Sequence, residues 1–493
     1  MTEEEDTQLK QELIDLKQAF GHLKEAVAQK DRRIEELEGL LMRALLRNDE
    51  LERRVAKESH NSHKPPSSDG LKHHLKPKKS KSKGGQPGHP GYALRQVETP
   101  DEIIAHRPEQ CEACSREWGK VAGQIKERRH IPELPERRLR VIEHRVEAMC
   151  CPACQHGTAA PFPLGVDAPA HYGPQMQALV VYLSQFQLLP LERIQELWVD
   201  LLGCSLSEGT LANWIAEAAR TLRPSMLMIK RLLGWSHVNH VDETGARIKG
   251  LLHWFHVSAT SFLTFYAWHR KRGQEAMDEI GLLPDDTGRA IHDRLSSDDH
   301  YPCAQSSCGA HLLRDCLGGA EHGKHPWAQA MDERLTLMCQ VAERWRATGA
   351  TAVPQAERDD LVLHSFEILQ QGFAAHRMVA PPQTPPAPNK PGRRKQDDAQ
   401  NLLDALLKRA EQVLAFLDDL SVPFTTNQAE RDLRMMKVQQ KISGTFRSDQ
   451  GATAFCVIRS YLSTMRKQGR SMLASLTAVF EGSPFSIAWE PGT

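Results

Sequence analysis

The sequence of 493 residues lacks any apolar run of about 18 residues or more, the length that a membrane-spanning helix needs. Its first ten residues, MTEEEDTQLK, lack the basic and apolar segments of a secretory signal. Net charge is absent too, because 63 Lys and Arg balance 63 Asp and Glu, so overall charge indicates no class of partner. The eleven cysteines are an odd number and several stand alone, which argues against a disulfide framework and favours a reducing, cytoplasmic setting.

A chain of this length predicts several domains, at roughly 100–200 residues for each. Residues 1–58 predict a coiled coil, because apolar residues recur there with alternating spacings of four and three. Lys30 and Asn48 interrupt this seam. The alternative is a long amphipathic helix that packs on its own chain. We favour self-association, which predicts a homodimer.

Residues 59–100 predict a flexible basic arm. Pro, Gly and Ser disfavour a packed core here, and between residues 60 and 95 seven lysines face a single acid, Asp69. Such an arm binds phosphates with release of counterions, whereas a solvated linker is the alternative. The one-sided charge favours nucleic-acid contact. The candidate DNA-binding residues of the arm are Lys76, Lys78, Lys79, Lys81 and Lys83.

Two Cys-x-x-Cys pairs predict a zinc-binding domain over residues 101–165. Two thiolates from one turn can bind one tetrahedral metal ion, and the separation of the pairs suits a zinc ribbon with a hairpin insert. A redox pair is disfavoured because nothing thioredoxin-like surrounds either motif. Cys150 is expected to be a bystander, although it could replace its neighbour. The predicted ligands are Cys111, Cys114, Cys151 and Cys154.

Residues 166–233 predict a helical domain. The stretch PLERIQELWVDLLGCSLSEGTLANWIAEAA contains two helical patterns separated by Gly203, the second starting after Ser205 or Ser207. A short turn with glycine between two helices is typical of a DNA-binding helix-turn-helix, but equally of a plain helical hairpin. Both interpretations stay open. The predicted core residues are Leu206, Leu211 and Trp214.

Residues 234–316 predict the first part of a sheet-containing core. The patterns predict strands over 238–242, 251–257, 262–268 and 288–293, with a helix over 273–283 before the last strand. A helix between strands usually forms a right-handed crossover to a parallel strand. If the fourth strand lies beside the first, Asp242 and Asp293 project from the same end, where open α/β sheets bind ligands. Glu243 and Thr244 are expected to form the turn that follows.

Two adjacent carboxylates repel unless a cation lies between them, and oxygen ligands suit Mg²⁺ or Mn²⁺. The alternative is that Asp242 and Asp293 are ordinary turn residues at strand ends, and the residues alone leave the two interpretations even. The strand order resembles the ribonuclease H-like fold, which implies two-metal phosphoryl chemistry and a third acid. Spacing cannot select that acid among 63 Asp and Glu residues.

The stretch PFTTNQAERDLRMMKVQQKISGTFRS (423–448) offers Glu430 as the third acid, in the first turn of a predicted helix and among basic residues. Asn427 and Glu430 also have the spacing of a capping box, which the residues alone favour. His311 either lies near the metals or is structural. A solvated helix face is the alternative for the candidate phosphate contacts, which are Arg431, Arg434, Lys437, Lys441 and Arg447.

Nearly the whole chain resembles transposases of the insertion-sequence 66 family, in the DDE superfamily, through short stretches that occur in the family's order. These are KPPSSDG, GGQPGHPG, the Cys-x-x-Cys pairs, SLSEGTLANW, HVDETG, HWFHV, KRGQEAMDEIGLLP, IHD, CGAHLLRD, NQAERDLRMMKVQQKISGTFRS and IRSYLSTMRKQGR. Each stretch alone is a weak indication. Their number and order make the resemblance specific.

The resemblance implies a DNA transposase of a bacterial insertion sequence, which binds element ends and catalyses metal-dependent 3′-end cleavage and strand transfer. Asp242, Asp293 and Glu430 would form the acidic triad and hold two Mg²⁺ or Mn²⁺ ions. Residues 317–421 would be a helical insertion with a Pro-rich loop, and residues 422–493 the C-terminal helices of the core. Expected partners are element-end and target DNA, with accessory proteins of the same element as further candidates.

The expected fold is therefore multidomain α/β. It comprises a coiled coil, a zinc ribbon, a helical DNA-binding domain and a ribonuclease H-like mixed-sheet core with an α-helical insertion. The chain departs from the family's usual pattern at Arg294, Gly309 and Thr426, where the family has an aromatic residue, Asn and Asn. These departures motivate a second hypothesis, a catalytically inactive, zinc-containing DNA-binding regulator derived from a transposase. A nuclease that hydrolyses DNA without joining it would use the same acids.

Overall fold

The computed structural model describes residues 96–489, except 133–138, 164, 167, 284–286, 295–299, 322 and 380–396, together with Lys24, Gln29, Lys30 and Arg33. Apart from those four residues, the predicted coiled coil lies outside the described residues. The five candidate lysines of the basic arm and most of the Pro-rich loop also lie outside them. The described chain divides into two compact units, which lie within Lys72–Ile215 and Ala216–Thr493.

The first unit contains a small hairpin followed by helices. Strand β1 (Ala148–Cys150) pairs antiparallel with β2 (Gly157–Ala159). Helix α1 (Pro174–Val181) continues as a short π-helix (Tyr182–Phe186), and α2 spans Leu191–Leu202. Ile194 and Trp198 are buried on α2 and stand four residues apart, so they form one apolar face.

Helix α2 ends at Gly203, whose φ of 62° is the left-handed conformation that glycine adopts at a helix end. Helix α3 (Glu208–Leu233) follows after Ser207, whose Oγ accepts the N–H of Thr210 at 3.0 Å. The prediction of two helices joined by a short turn is therefore confirmed. The predicted core residues Leu206, Leu211 and Trp214 are buried.

The second unit is built on a five-stranded mixed sheet with the order β5-β4-β3-β6-β7. The β3–β4 and β4–β5 pairs are antiparallel, and the β3–β6 and β6–β7 pairs are parallel. Helix α4 (Gln274–Ile280) connects β5 to β6, as the sequence predicts. The strands are β3 (Val238–Ile248), β4 (Leu251–Ala259), β5 (Thr264–His269), β6 (Arg289–His292) and β7 (Ala304–Ser307).

Strand β3 is longer than predicted. It continues through Glu243 and Thr244 to Ile248, so the prediction that these two residues form a turn is wrong. The turn lies at Lys249 and Gly250, both with positive φ (51° and 79°), which is the backbone that a two-residue hairpin needs. Cross-strand pairing with β4 along the whole length overrides the local turn propensity of the D-E-T-G segment.

Five helices lie in the described chain between β7 and the last three helices of this unit. They are α5 (Gly309–Glu321), α6 (Pro326–Ala347), α7 (Gln355–Val379), α8 (Asp398–Lys408) and α9 (Ala410–Asp418). Trp327 and Leu335 of α6, Leu369 of α7, Leu403 of α8 and Phe416 of α9 belong to one buried cluster. The described part of this segment is mostly helical, as the family resemblance implies.

Three helices complete the unit: α10 (Asn427–Ser443), α11 (Asp449–Lys467) and α12 (Met472–Phe480). Helix α10 packs against β3 and β4, and α11 packs against β5. Almost every residue of α11 from Ala452 to Met465 is buried, as expected for a helix enclosed by its own protein. Ser448 caps its start by accepting the N–H of Gly451 at 3.0 Å.

Candidate active site

The predicted acids Asp242 and Asp293 come from two neighbouring parallel strands. The last register pair of β3 with β6 joins His240 to Ile291, and each acid lies two residues further along its own strand direction. The expectation that the fourth predicted strand lies beside the first is therefore confirmed. The two acids lie side by side where the β3–β6 pairing ends, the edge at which parallel strands present ligand-binding groups.

Asp242 has an unfavourable environment for a negative charge. Burial raises its pKa well above the usual range, and the charges of Glu243, Asp293 and Glu430 raise it further. The backbone N–H of Glu243 donates to Asp242 Oδ1 at 2.8 Å and opposes this increase. A cation beside Asp242 would offset the repulsion between these carboxylates. Such uncompensated negative charge is what favours the binding of a metal ion.

Glu430 lies in the first turn of α10 and faces α5. Its Oε1 accepts from Arg314 Nη2 at 3.3 Å and lies 3.9 Å from His311 Nδ1. Helix α10 begins at Asn427, so the carboxylate does not close the capping box that the spacing allows. His311 lies beside the predicted third acid, as one of its two interpretations expects.

The described residues contain two groups of three potential metal-ligating side chains whose ligand atoms all lie within 4.8 Å of one another. One is Cys308, His311 and Glu430, and the other is His269, Glu275 and Glu279. Neither group includes Asp242 or Asp293. The charges of Asp293 and Glu430 raise the pKa of Asp242, so the three predicted acids interact electrostatically. Their carboxylate oxygens are nevertheless more widely spaced than the ligand atoms of either group.

Glu243 is the acid that the sequence analysis missed. Its side chain is 2% exposed, and its Oε1 accepts from Arg272 Nε at 2.7 Å and lies 2.6 Å from Nη2. Burial and then the charge of Asp293 raise the pKa of Glu243 to about 7, against the opposing effect of Arg272. Successive residues of a strand point to opposite faces, so Glu243 and Asp242 face opposite sides of the sheet.

Arg272 connects this buried acid to the predicted site. Its Nη2 lies 3.8 Å from Asp293 Oδ2, and its guanidinium carbon lies 4.9 Å from the centre of the Trp254 ring. The charge of Glu243 raises the pKa of Arg272 against the opposing effect of burial. Arg272 follows β5 in the KRGQEA stretch, and its pairing with Glu243 spans 29 residues of sequence. Local pattern carries no signal for such a contact.

Arg294, the first departure from the family pattern, follows Asp293 with a φ of 71°, which is uncommon for a residue with a side chain. Its backbone N–H donates to His292 Nδ1 at 3.1 Å, and its guanidinium forms an ion pair with Asp315 of α5. The Arg294 side chain is 11% exposed. Arg294, which stands where the family has an aromatic residue, therefore forms a specific ion pair with the neighbouring helix α5.

The other two departures meet at the start of α5. A Cβ on Gly309 would lie 2.2–2.5 Å from the ring of Phe424, so only glycine allows this approach. The Gly309 N–H donates to the Phe424 carbonyl at 2.8 Å. Thr426 is fully buried, and its N–H donates to Cys308 Sγ at 3.3 Å. These contacts tie the segment before α10 to the start of α5.

Comparison with known proteins identifies the family of the chain. The family model described as Transposase IS66 family, whose name includes the DDE label, matches residues 170–454. The chain belongs to the IS66 transposase family. The match covers the helices α1 to α10, the whole sheet and all three acids of the predicted triad. The resemblance that the motifs indicate is therefore confirmed.

Two further matches are less informative about function. A family of unknown function matches residues 3–95. An uncharacterized protein from Sinorhizobium fredii is 23% identical over 427 residues, which cover 79% of this chain and 74% of that protein. The mixed α/β core of this IS66-family chain is consistent with a ribonuclease H-like sheet.

The predicted phosphate contacts on and after α10 differ in exposure. Arg431, Arg434, Lys441 and Arg447 are exposed, and Arg431 donates to Gln428 Oε1 at 2.8 Å. Lys437 is half-buried and donates to the Gly245 carbonyl at 2.9 Å, and burial lowers its pKa. Lys437 therefore connects α10 to β3, while the other four side chains lie at the surface.

The two Cys-x-x-Cys pairs of the first unit form the same turn. The N–H of Cys111 donates to the Arg116 carbonyl at 2.9 Å, and the N–H of Cys151 donates to the His156 carbonyl at 3.0 Å. Ser115 and Gln155, one residue beyond each pair, have matching positive φ values of 56° and 58°. Each turn thus holds two sulfurs of one pair on the same side of a tight loop.

Backbone groups favour the thiolate form of one cysteine in each pair. Hydrogen bonds from the backbone of Ala113 and then Cys114 lower the pKa of Cys111, and those of Cys154 and then Ala153 lower the pKa of Cys151. Across the described residues, however, no three of the four predicted ligands have sulfurs within 4.8 Å of one another. Each turn suits zinc by its donors, but the two turns are not joined into one site.

Among the described residues, no helix is long and apolar enough to span a membrane.

Proposed function

We propose that this IS66-family protein is an active DNA transposase that cleaves the 3′ ends of its element and joins them to target DNA. The observation that carries the proposal is the pairing of β3 with β6, which brings Asp242 and Asp293 side by side. Helix α10 packs over β3 and carries Glu430, whose charge contributes to the raised pKa of Asp242.

The residues present fit a divalent cation. Asp242, Asp293 and Glu430 supply only oxygen donors, and their mutual repulsion favours Mg²⁺ or Mn²⁺. When bound, two such ions would activate the attacking hydroxyl and stabilise the leaving 3′ oxygen. Arg314 and His311 hold the Glu430 carboxylate from α5 and so limit its orientation.

DNA would be held by basic side chains near these acids. Arg434 and Lys441 lie four and eleven residues after Glu430, which places them along the same side of α10. Both are exposed, as are Arg431 and Arg447. We assign to them contacts with the phosphates of the bound strand. The same role is proposed for the basic arm, from Lys76 and Lys78 through Lys79, Lys81 and Lys83.

Zinc and self-association are further parts of the proposal. Cys111, Cys114, Cys151 and Cys154 would hold one structural Zn²⁺, and residues 1–58 would form the dimer. Metal analysis of the purified protein tests the first: Cys151→Ser should lose the zinc, and the neighbouring Cys150→Ser should retain it. Equal zinc contents in the two variants would contradict this ligand assignment.

The central experiment uses labelled element ends and a target plasmid with purified protein in Mg²⁺. Asp242→Asn should lower end cleavage by roughly 10³-fold, because it removes a charge that stabilises the reaction. Binding of the ends should persist, as a gel-shift assay would report. Lys249→Met, which changes an exposed ion pair with Asp449 away from the acids, is the matched control. Normal cleavage by the Asp242→Asn protein would overturn the proposal.

A second candidate function is a DNA-binding regulator with an inactive core. It is supported by the wide spacing of the acids. Among the described residues, neither group of three ligand atoms within 4.8 Å of one another includes Asp242 or Asp293. The same assay separates the candidates, because any strand transfer by the wild type eliminates the regulator. Cleavage without joining would instead identify a nuclease.

A further inference from the structure

The pair of Glu243 and Arg272 has no part in the proposed chemistry, yet Arg272 Nη2 lies 3.8 Å from Asp293 Oδ2. Glu243 is almost completely buried, and a buried charge is costly unless it is paired. Arg272 supplies the pair through two short contacts of 2.7 and 2.6 Å to a single carboxylate oxygen. The Trp254 ring, 4.9 Å away, supports the guanidinium from another side.

Arg272 lies closer to one acid, Glu243, than to the other, Asp293. Its Nη2 is 2.6 Å from Glu243 Oε1 but 3.8 Å from Asp293 Oδ2, which is beyond hydrogen-bond length. Arginine and carboxylate groups otherwise form strong, often bidentate, hydrogen bonds. A guanidinium bonded to Asp293 in this way would occupy the oxygens that a metal ion needs. In the structure Arg272 is bonded to Glu243 instead.

We propose that Glu243 is a positioning residue for Asp293: it holds the Arg272 guanidinium short of a bond to the second acid, so that the Asp293 carboxylate stays available to a divalent cation. This inference rests on the proposed function, because it assumes that Asp293 is a metal ligand. It also accounts for an acid directly after Asp242 that points to the opposite face of the sheet.

A purely structural ion pair makes a different prediction. In that case Glu243→Gln changes the stability of the protein but leaves its affinity for a metal ion unchanged. If Glu243 restrains Arg272, the same variant releases the guanidinium onto Asp293 and weakens metal binding. Removing both charges in E243Q/R272Q then restores binding, because no guanidinium remains to compete.

The test is a titration of the full-length protein with Mn²⁺ alone, with free Mn²⁺ followed by electron paramagnetic resonance. E243Q should bind Mn²⁺ about tenfold more weakly, the usual effect of losing a group that orients a ligand. E243Q/R272Q should return to within about twofold of the wild type. Asp449→Asn removes the same charge from an exposed ion pair with Lys249, and should leave the affinity unchanged.

A second comparison excludes a general effect of charge. In the D293N background, E243Q should cause no additional loss of Mn²⁺ affinity, whereas in the E430Q background it should cause the full loss. Thermal unfolding without metal verifies that each variant is folded. If E243Q is not, Glu243→Asp replaces it and should show a smaller but measurable loss, because the shorter acid holds Arg272 less closely to itself.

Wild-type affinity in E243Q, or an E243Q/R272Q protein as weak as E243Q, would overturn the inference while leaving the proposed function intact. A wild type that binds no Mn²⁺, or binds it equally well after D242N, would overturn the proposed metal site and this inference with it.

Discussion

Two acids on helix α10, Glu430 and Asp432, stand two residues apart and have opposite environments. Asp432 is 16% exposed and accepts from Lys467 at 2.8 Å, Gln428 at 3.1 Å and Thr264 at 3.2 Å. Glu430 is 31% exposed and accepts from Arg314 at 3.3 Å. We call the surroundings of Asp432 the anchor region, and those of Asp242, Asp293 and Glu430 the site region.

The anchor region is a closed set of hydrogen bonds. Lys467 of α11 donates to Asp432 and also to the carbonyls of Thr260 and Leu263, at 2.7 and 2.8 Å. The Tyr266 hydroxyl donates to the Asp432 carbonyl at 2.9 Å. These contacts join α10, α11 and the turn before β5, so they fix the helix that carries Glu430.

The site region is arranged in the opposite way. Asp242 is half-buried, and burial and the neighbouring acids raise its pKa, so its charge is not compensated within the protein. Buried groups of this kind are typical of functional sites, while closed networks are typical of supporting structure. The difference predicts that removing charges stabilises the site region and destabilises the anchor region.

The largest expected effect is in the anchor region. Lys467→Met leaves Asp432 buried without its cation and should lower the free energy of unfolding by about 3–5 kcal/mol, the usual result of breaking a buried pair. Urea denaturation measures this loss. A decrease below about 1 kcal/mol would show that the pair behaves like a surface ion pair and that the anchor region is not supporting structure.

The next effect concerns pH and the buried His256, which pairs in register with Glu243. Burial lowers the pKa of His256 from 6.5 to about 4. Between pH 6.5 and 4 the unfolded chain binds a proton at His256 and the folded protein does not. The free energy of unfolding is therefore unaffected by His256 above pH 6.5 and decreases as pH falls towards 4. Between these values the wild type should lose about 2 kcal/mol more than His256→Asn, measured by urea denaturation at each pH. Parallel pH profiles of the two proteins would contradict this.

A smaller effect of opposite sign is expected in the site region. At neutral pH and without divalent ions, Asp242→Asn should raise the free energy of unfolding by about 1 kcal/mol. It removes a charge that burial and the neighbouring acids disfavour. Asp432→Asn is the matched change in the anchor region and should lower it. Destabilisation by both variants would remove the distinction between the two regions.

The smallest effect is expected for the contact that holds Glu430. Arg314→Met should change the free energy of unfolding by less than about 1 kcal/mol, since both partners are partly exposed and the contact is long. Thermal unfolding compared with Lys249→Met, which breaks an exposed ion pair, provides the reference. A loss as large as that of Lys467→Met would assign Arg314 to the supporting structure instead.

Much of the fold could be predicted from the sequence because it depends on local periodicity. The four predicted strands and the helix between them are present, and β3 pairs in parallel with β6, as is usual for strands joined by a helical crossover. The extension of β3 to Ile248 could not be predicted, because it depends on pairing with β4 over nine residue pairs. Strand β7 is short and polar, AQSS, and carries no apolar pattern.

The candidate site shows the same limit more sharply. Strand order indicated that Asp242 and Asp293 could lie together but left their role open, whereas Glu430 required the family resemblance because its spacing favours a capping box. The contacts of Glu430 with Arg314 and of Glu243 with Arg272 span 116 and 29 residues of sequence. Such contacts are set by tertiary packing, and neither propensity nor spacing reports them.

The most direct test of the account is the anomalous diffraction of Mn²⁺ in crystals of the full-length protein. We predict a peak bounded by the carboxylates of Asp242 and Asp293, with Glu430 turned towards it. A peak held only by Cys308, His311 and Glu430, or by His269, Glu275 and Glu279, with no contact to Asp242, would contradict the assignment of the active site.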